Sequence, residues 1–116
     1  MLTFDYHFGM DMELARSIER VQLELMRTRV LEILDTEYPS SLHSDVVFLR
    51  LERDYKMEVG LRALLKELHY LEEKELIRAE LVFQDRFMCS VTAAGRDVLS
   101  GHTKVIGLAE PSGERQ

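Results

Sequence analysis

Residues Lys56–Ile77 read KMEVGLRALLKELHYLEEKELI. Leu61, Leu64, Leu65, Leu68 and Leu71 stand at i, i+3, i+4, i+7 and i+10, which puts them on one face of an α-helix. Such a stripe needs a core to cover it. Gly60 is an acceptable N-cap for that helix. Lys56 to Val59 are then left as a brief extended segment, suited to a small sheet. Roughly opposite the leucines stand Arg62, Ala63, Lys66 and Tyr70, with Glu67, Glu73 and Lys74 towards the edges.

Downstream, Ile77, Ala79, Leu81 and Phe83 alternate with Arg78, Glu80 and Val82, the period of a strand. Gln84-Asp85-Arg86 forms a short turn, and Phe87, Cys89 and Val91 alternate in a returning strand. Thr92 caps a last short helix whose Val98 and Leu99 close the core. Residues 102–116 hold two Gly, a Pro and little apolar material, and read as a flexible tail.

Upstream, Ser44 is the expected N-cap of a helix with Asp45 in its first turn and Val47, Phe48 and Leu51 facing inward. That helix ends near Asp54 or Tyr55. Tyr38-Pro39-Ser40-Ser41 stops the segment before it, because Pro cannot continue a helix. From Asp11 to about Glu37 two helical stripes appear: Leu14, Ile18, Val21 and Leu25, then Leu23, Met26, Val30, Leu31 and Leu34. One small core does not require both, so the first is a candidate homodimer face. Phe4, Tyr6 and Phe8 alternate with Asp5 and His7, which suits a strand or apolar arm over residues 1–10, or else a frayed terminus.

The expected fold is mainly α with a small β-hairpin wing (α+β): a winged helix-turn-helix with an extra N-terminal helical extension. Its domain spans residues 11–101. The block HYLEEKELI (69–77), a hairpin and then VTAAGRDVLSG (91–101) resemble the helix-three-plus-wing segment of bacterial winged-helix proteins. More narrowly, the RVLEIL helix (29–34), Tyr70-Leu71, Leu76-Ile77 and the tail KVIGLAEPSG (104–113) resemble small winged-helix proteins of Mu-like phages and prophages. The match covers roughly residues 26 to 113. The resemblance implies a phage-encoded, nucleic-acid-binding protein with no catalytic residues. Glu75 departs from the pattern, since many relatives have Gly at that turn and Gly takes a left-handed conformation cheaply.

At 116 residues, 46% hydrophobic and 31% charged, the composition suits one soluble globular domain with its own core. No stretch approaches the ~20 apolar residues of a membrane span. The N-terminus lacks the basic start and apolar run of a signal peptide, and the single Cys89 fits a reducing compartment, so a cytoplasmic protein is expected. A net charge of -6 argues against gripping nucleic acid with the whole surface, so DNA binding must come from a local patch. Between Arg50 and Arg78 seven basic side chains balance seven acidic ones.

His7, His43, His69 and His102 are scattered, with no zinc spacing, and no Gly-rich phosphate loop or GxSxG occurs. Neither a metal, a cofactor nor an enzymatic activity is implied. The candidate interface with double-stranded DNA is the outer side of helix three: Arg62, Lys66 and Tyr70 at i, i+4 and i+8, with Ala63 leaving room for close approach. Lys56, Arg78 and Arg86 would add phosphate contacts. Plain solubilising residues on an exposed helix fit the same pattern. The acidic balance, the apolar arm and the tail equally suit a module that binds a protein partner instead.

Overall fold

A computed structural model describes residues 2–111, with side chains from residue 12 onward. In chain order the elements are α1 (Leu2–Asp35), β1 (Leu42–His43), α2 (Ser44–Tyr55), α3 (Leu61–Glu73), β2 (Ile77–Phe83), β3 (Arg86–Val91) and α4 (Ala93–Leu99). Four helices surround one antiparallel sheet ordered β1-β3-β2, an α+β arrangement.

Helix α1 is the axis of the molecule, and its two halves behave differently. Val30, Leu31, Ile33 and Leu34 are all 0% exposed, so this part of the helix is wrapped on every side by the rest of the chain. Residues 12–22 are all exposed. The N-terminal half therefore projects from the domain and stretches the molecule to 56 × 35 × 26 Å. The expected extended arm at Phe4, Tyr6 and Phe8 is corrected: the backbone is already helical at Leu2. Five alternating residues cannot outweigh an adjoining helix, because extending a helix adds one hydrogen bond for each residue fixed. The side chains of that stretch lie outside the described residues.

The start of α2 also differs from expectation. Its N-cap is His43, whose Nδ1 accepts the Asp45 N–H at 3.0 Å. Ser44 is one residue inside, fully buried, and its Oγ accepts the Phe87 N–H at 3.2 Å. The hydroxyl thus ties α2 to β3 rather than capping the helix.

Lys56 to Val59 do not form a strand. Lys56 is left-handed (φ 57°), and its N–H and that of Met57 return to Glu52 and Leu51 at 2.9 and 3.1 Å. The first two N–H groups of the segment thus close α2, and Lys56–Val59 pair with no strand of the sheet. The third strand comes from earlier in the chain, with Leu42 opposite Cys89 and His43 opposite Met88.

Helix α3 buries Leu64, Leu68 and Leu71, while Leu61 and Leu65 are half-buried at its margin. Leu76, 3% exposed, closes the helix by donating its N–H to Leu71 O at 3.0 Å. This closure forces Glu75 to φ 62°, the left-handed position that Gly fills most cheaply. In the hairpin Ile77 faces Val91, Ala79 faces Cys89 and Leu81 faces Phe87, with an irregularity between Leu81 and Phe83. Thr92 caps α4 as expected: its Oγ1 accepts Gly95 N–H at 3.1 Å and donates to Glu75 O at 2.8 Å. At Gly95 a Cβ would stand 2.3 Å from Leu76 O, so only glycine lets α4 sit this close to the α3–β2 turn.

Candidate nucleic-acid interface

The 3.6-residue period of α3 that turns Leu64, Leu68 and Leu71 inward turns Arg62, Ala63 and Lys66 outward, and all three are exposed. Arg62 and Lys66, one turn apart, make no ion pair among the described residues. The other cations of this region separate into two sets. Arg50 and Arg53 both bond Asp54, at 3.0 and 2.8 Å, and hold its carboxyl below the usual range. Lys74 lies over the Tyr70 ring, 5.6 Å from its centroid. Lys56 and Arg78 are exposed and, like Arg62 and Lys66, unpaired among the described residues. Four of the predicted contact residues are thus the cations of this stretch left available to an anion.

Tyr70 and Arg86 do not belong with them. Arg86 bonds Asp45 at 3.0 Å and also its neighbour Asp85, so its charge is already spent on two carboxylates. Tyr70 is half-buried under another residue. The Arg27 guanidinium stacks on its ring, 3.7 Å from the centroid, and its hydroxyl donates to Ile106 O at 3.5 Å. At i+8 from Arg62 the residue has rotated 80° around the helix, enough to move it from the open face to the α1 side.

What covers Tyr70 is the segment expected to be a loose tail. Arg27 donates to Gly107 O at 2.8 Å, and Thr28 Oγ1 donates to Ala109 O at 2.6 Å. Ala109 N–H in turn donates to Glu24 O at 3.1 Å, and Val105 and Leu108 pack against the core. The strap reads as main-chain bonding, which composition does not reveal. Gly107 is its one sequence signal: φ is +103°, and a Cβ there would meet the Tyr70 hydroxyl at 2.3 Å. Arg27 also bonds Glu67 at 2.7 Å, with side-chain exposures of 12% and 6%. Glu67, expected at the edge of the outer face, is in fact buried. Residues 112–116 lie outside the described residues.

No family model, curated protein or solved structure matches the chain.

Two further surfaces are open. Leu14, Ile18 and Val21 are 58%, 46% and 58% exposed on α1, and Leu25 is half-buried where the helix enters the domain. On the edge strand β2, Leu81, Val82 and Phe83 are consecutive and 65%, 53% and 67% exposed. Cys89 is fully buried between β1 and β2, and burial pushes its thiol up to about 12, with the Glu72 charge adding to the effect. A thiol held neutral in this way is a packing group and not a nucleophile. Among the described residues no three His, Cys, Asp or Glu side chains are grouped to hold a metal, and no helix is long and apolar enough to cross a membrane.

Proposed function

We propose that the chain is a winged-helix DNA-binding protein of the regulator type, dimeric through α1, with α3 as the helix that enters the major groove. The β2–β3 hairpin is then the wing, and the projecting half of α1 the N-terminal extension. The observation that carries the reading is the pair Arg62 and Lys66, one turn apart, exposed and free of carboxylate partners in a protein of net charge -6. Where so many carboxylates are available, two cations left unpaired on the outer face of a fully anchored helix suit an anionic partner. An α-helix fits the major groove, and Arg or Lys can donate there to guanine acceptors. Lys56 and Arg78 would supply phosphate contacts. The resemblance to small winged-helix proteins of Mu-like phages and prophages supports the same reading. The role is non-catalytic and needs no cofactor.

The test is fluorescence anisotropy of labelled duplexes from the neighbouring genomic DNA at about 50 and 200 mM salt. Binding that weakens with salt, with a slope of only a few phosphates, is expected from so small a cationic set. Failure to bind any duplex at the lower salt would rule the reading out.

A second reading is favoured by one observation, the exposed run Leu81-Val82-Phe83 on an edge strand. Sheet edges of that character are usually covered or charged, so a protein partner adding a strand to β2 would explain it. Recovery of a partner whose capture is lost in Leu81→Lys, together with no duplex binding, would favour this alternative.

A further inference from the structure

The open face of α3 carries a third side chain on the line of Arg62 and Lys66. At 3.6 residues per turn, His69 returns to within about 20° of Arg62, and Glu73 does the same one turn later. Arg62, Lys66, His69 and Glu73 are all exposed, and their spacing of four, three and four residues makes one continuous row. His69 therefore takes the place on this face that Tyr70 does not. Its Nε2 stands 3.4 Å from Glu73 Oε2, with side-chain exposures of 71% and 68%.

The row is cationic at its N-terminal end and anionic at its C-terminal end. A neutral ring that keeps its proton on Nε2, towards Glu73, leaves Nδ1 as an acceptor only. Such an atom repels phosphate oxygens and the N7 and O6 acceptors of guanine alike. Protonation makes Nδ1 a donor, so the ring can hold Glu73 with one nitrogen and an anion with the other. It also balances the Glu73 charge, which otherwise opposes any phosphate brought to this end of the helix. Histidine side chains change charge between about pH 5 and 8, and a nearby anion favours the charged form.

The surroundings leave His69 to Glu73. On α3, Lys66 and Glu72 stand one turn away on either side, and Glu72 Oε2 accepts the Ala79 N–H of β2 at 3.4 Å. Arg27 of α1 is bound to Glu67, and Arg50 and Arg53 of α2 to Asp54. Arg78 and Glu80 of β2 make no ion pair with His69, and among the described residues Glu73 alone does.

We propose that His69 is the third DNA-contacting side chain of α3 and makes the contact as an imidazolium, bridging Glu73 and the DNA, so that duplex binding takes up a proton from solvent. The inference rests on, and deepens, the DNA-binding reading of α3.

Fluorescence anisotropy with the same duplexes at about 50 mM salt, run at about pH 6 and pH 8, tests it on the unaltered chain, His69→Gln and His69→Lys. Thermal midpoints are recorded at each pH. The unaltered chain should bind about fivefold or more tighter at the lower pH, the scale of one charge-assisted contact. Its salt slope should steepen there by about 0.9, one additional phosphate. His69→Gln should bind at both pH values as the unaltered chain does at the higher one, and His69→Lys as the unaltered chain does at the lower one. Because the side chain is 71% exposed, neither substitution should move the midpoint by more than about a degree or two. Affinity of the unaltered chain that does not change with pH would overturn the proposal and leave Arg62 and Lys66 as the contacts. A pH dependence that survives in His69→Gln would overturn it too, because the proton would then belong to another group. Absence of duplex binding at either pH would remove the DNA-binding reading and this inference together.

Discussion

Arg27 Cζ lies over the Tyr70 ring, 3.7 Å from its centroid, while its Nε bonds Glu67 at 2.7 Å and its Nη1 bonds Gly107 O at 2.8 Å. One side chain thereby joins α1, α3 and the C-terminal strap. Replacing Arg27 with Met leaves the Glu67 carboxylate buried without its cation and should cost about 3 kcal/mol or more. The double variant Arg27→Met/Glu67→Leu removes both charges and should recover much of that loss. Urea denaturation of the two variants measures the difference, and equal losses would show that the ion pair is not what fails.

Gly107→Ala should be destabilising although it adds one methyl group to a half-exposed strap. Its φ of +103° disfavours any Cβ, and the added atom would lie 2.3 Å from the Tyr70 hydroxyl. A loss of about 1–3 kcal/mol is expected, the range for a non-glycine residue held in such a conformation. Faster proteolysis of the C-terminal segment should accompany it, because the strap is the part that must lift.

The opposite sign is expected at Glu75. Its φ of 62° is held by the Leu76–Leu71 closure and by Thr92 bonding its carbonyl. Glu75→Gly relieves the left-handed strain of about 1–2 kcal/mol, less what glycine adds to unfolded-chain entropy. A net gain of about 0.5–1 kcal/mol should raise the thermal midpoint by a few degrees.

These residues show what could be read in the sequence and what could not. The leucine stripe of α3, the hairpin alternation and the Thr92 cap are local patterns, and each element forms where its pattern lies. The left-handed turn at Glu75 was suggested only by the resemblance, whose relatives place Gly there; this chain keeps the turn with Glu. The misses share another cause. Lys56–Val59 was expected to be extended and to join the sheet, but the N–H groups of Lys56 and Met57 turn back to end α2. Ser44 is a good capping residue, yet the neighbouring His43 caps and the Ser44 hydroxyl serves β3. The strap over Tyr70 bonds through main-chain groups 80 residues from Arg27 in the chain, and side-chain patterning carries no trace of such a contact. Tyr70 was therefore assigned to the open face by spacing alone. Arg86 was assigned to DNA although Asp85 precedes it, and its second carboxylate partner, Asp45, is distant in sequence.

Cys89 gives the fold an alkaline liability. Its thiol is pushed up to about 12 in the folded chain from an ordinary 9.0. Its contribution is fully present below pH ~9; above that the unfolded chain ionises this group while the folded chain does not, so stability falls by about 1.4 kcal/mol per pH unit. Urea midpoints at about pH 8 and pH 10 should show the drop, and it should be smaller in Cys89→Ala. In the folded protein near pH 8 the thiol should resist alkylation until denaturant is added.

The most direct measurement of the central claim compares duplex binding by the unaltered chain and by Arg62→Ala/Lys66→Ala at about 50 mM salt, with thermal denaturation recorded alongside. Both side chains are exposed and unpaired among the described residues, so the midpoint should stay within a degree or two. Loss of at least about tenfold in affinity at that unchanged midpoint is the predicted result, from two contacts worth roughly 1 kcal/mol or more each. Equal affinity of the two proteins would contradict the assignment of α3 as the surface that meets DNA.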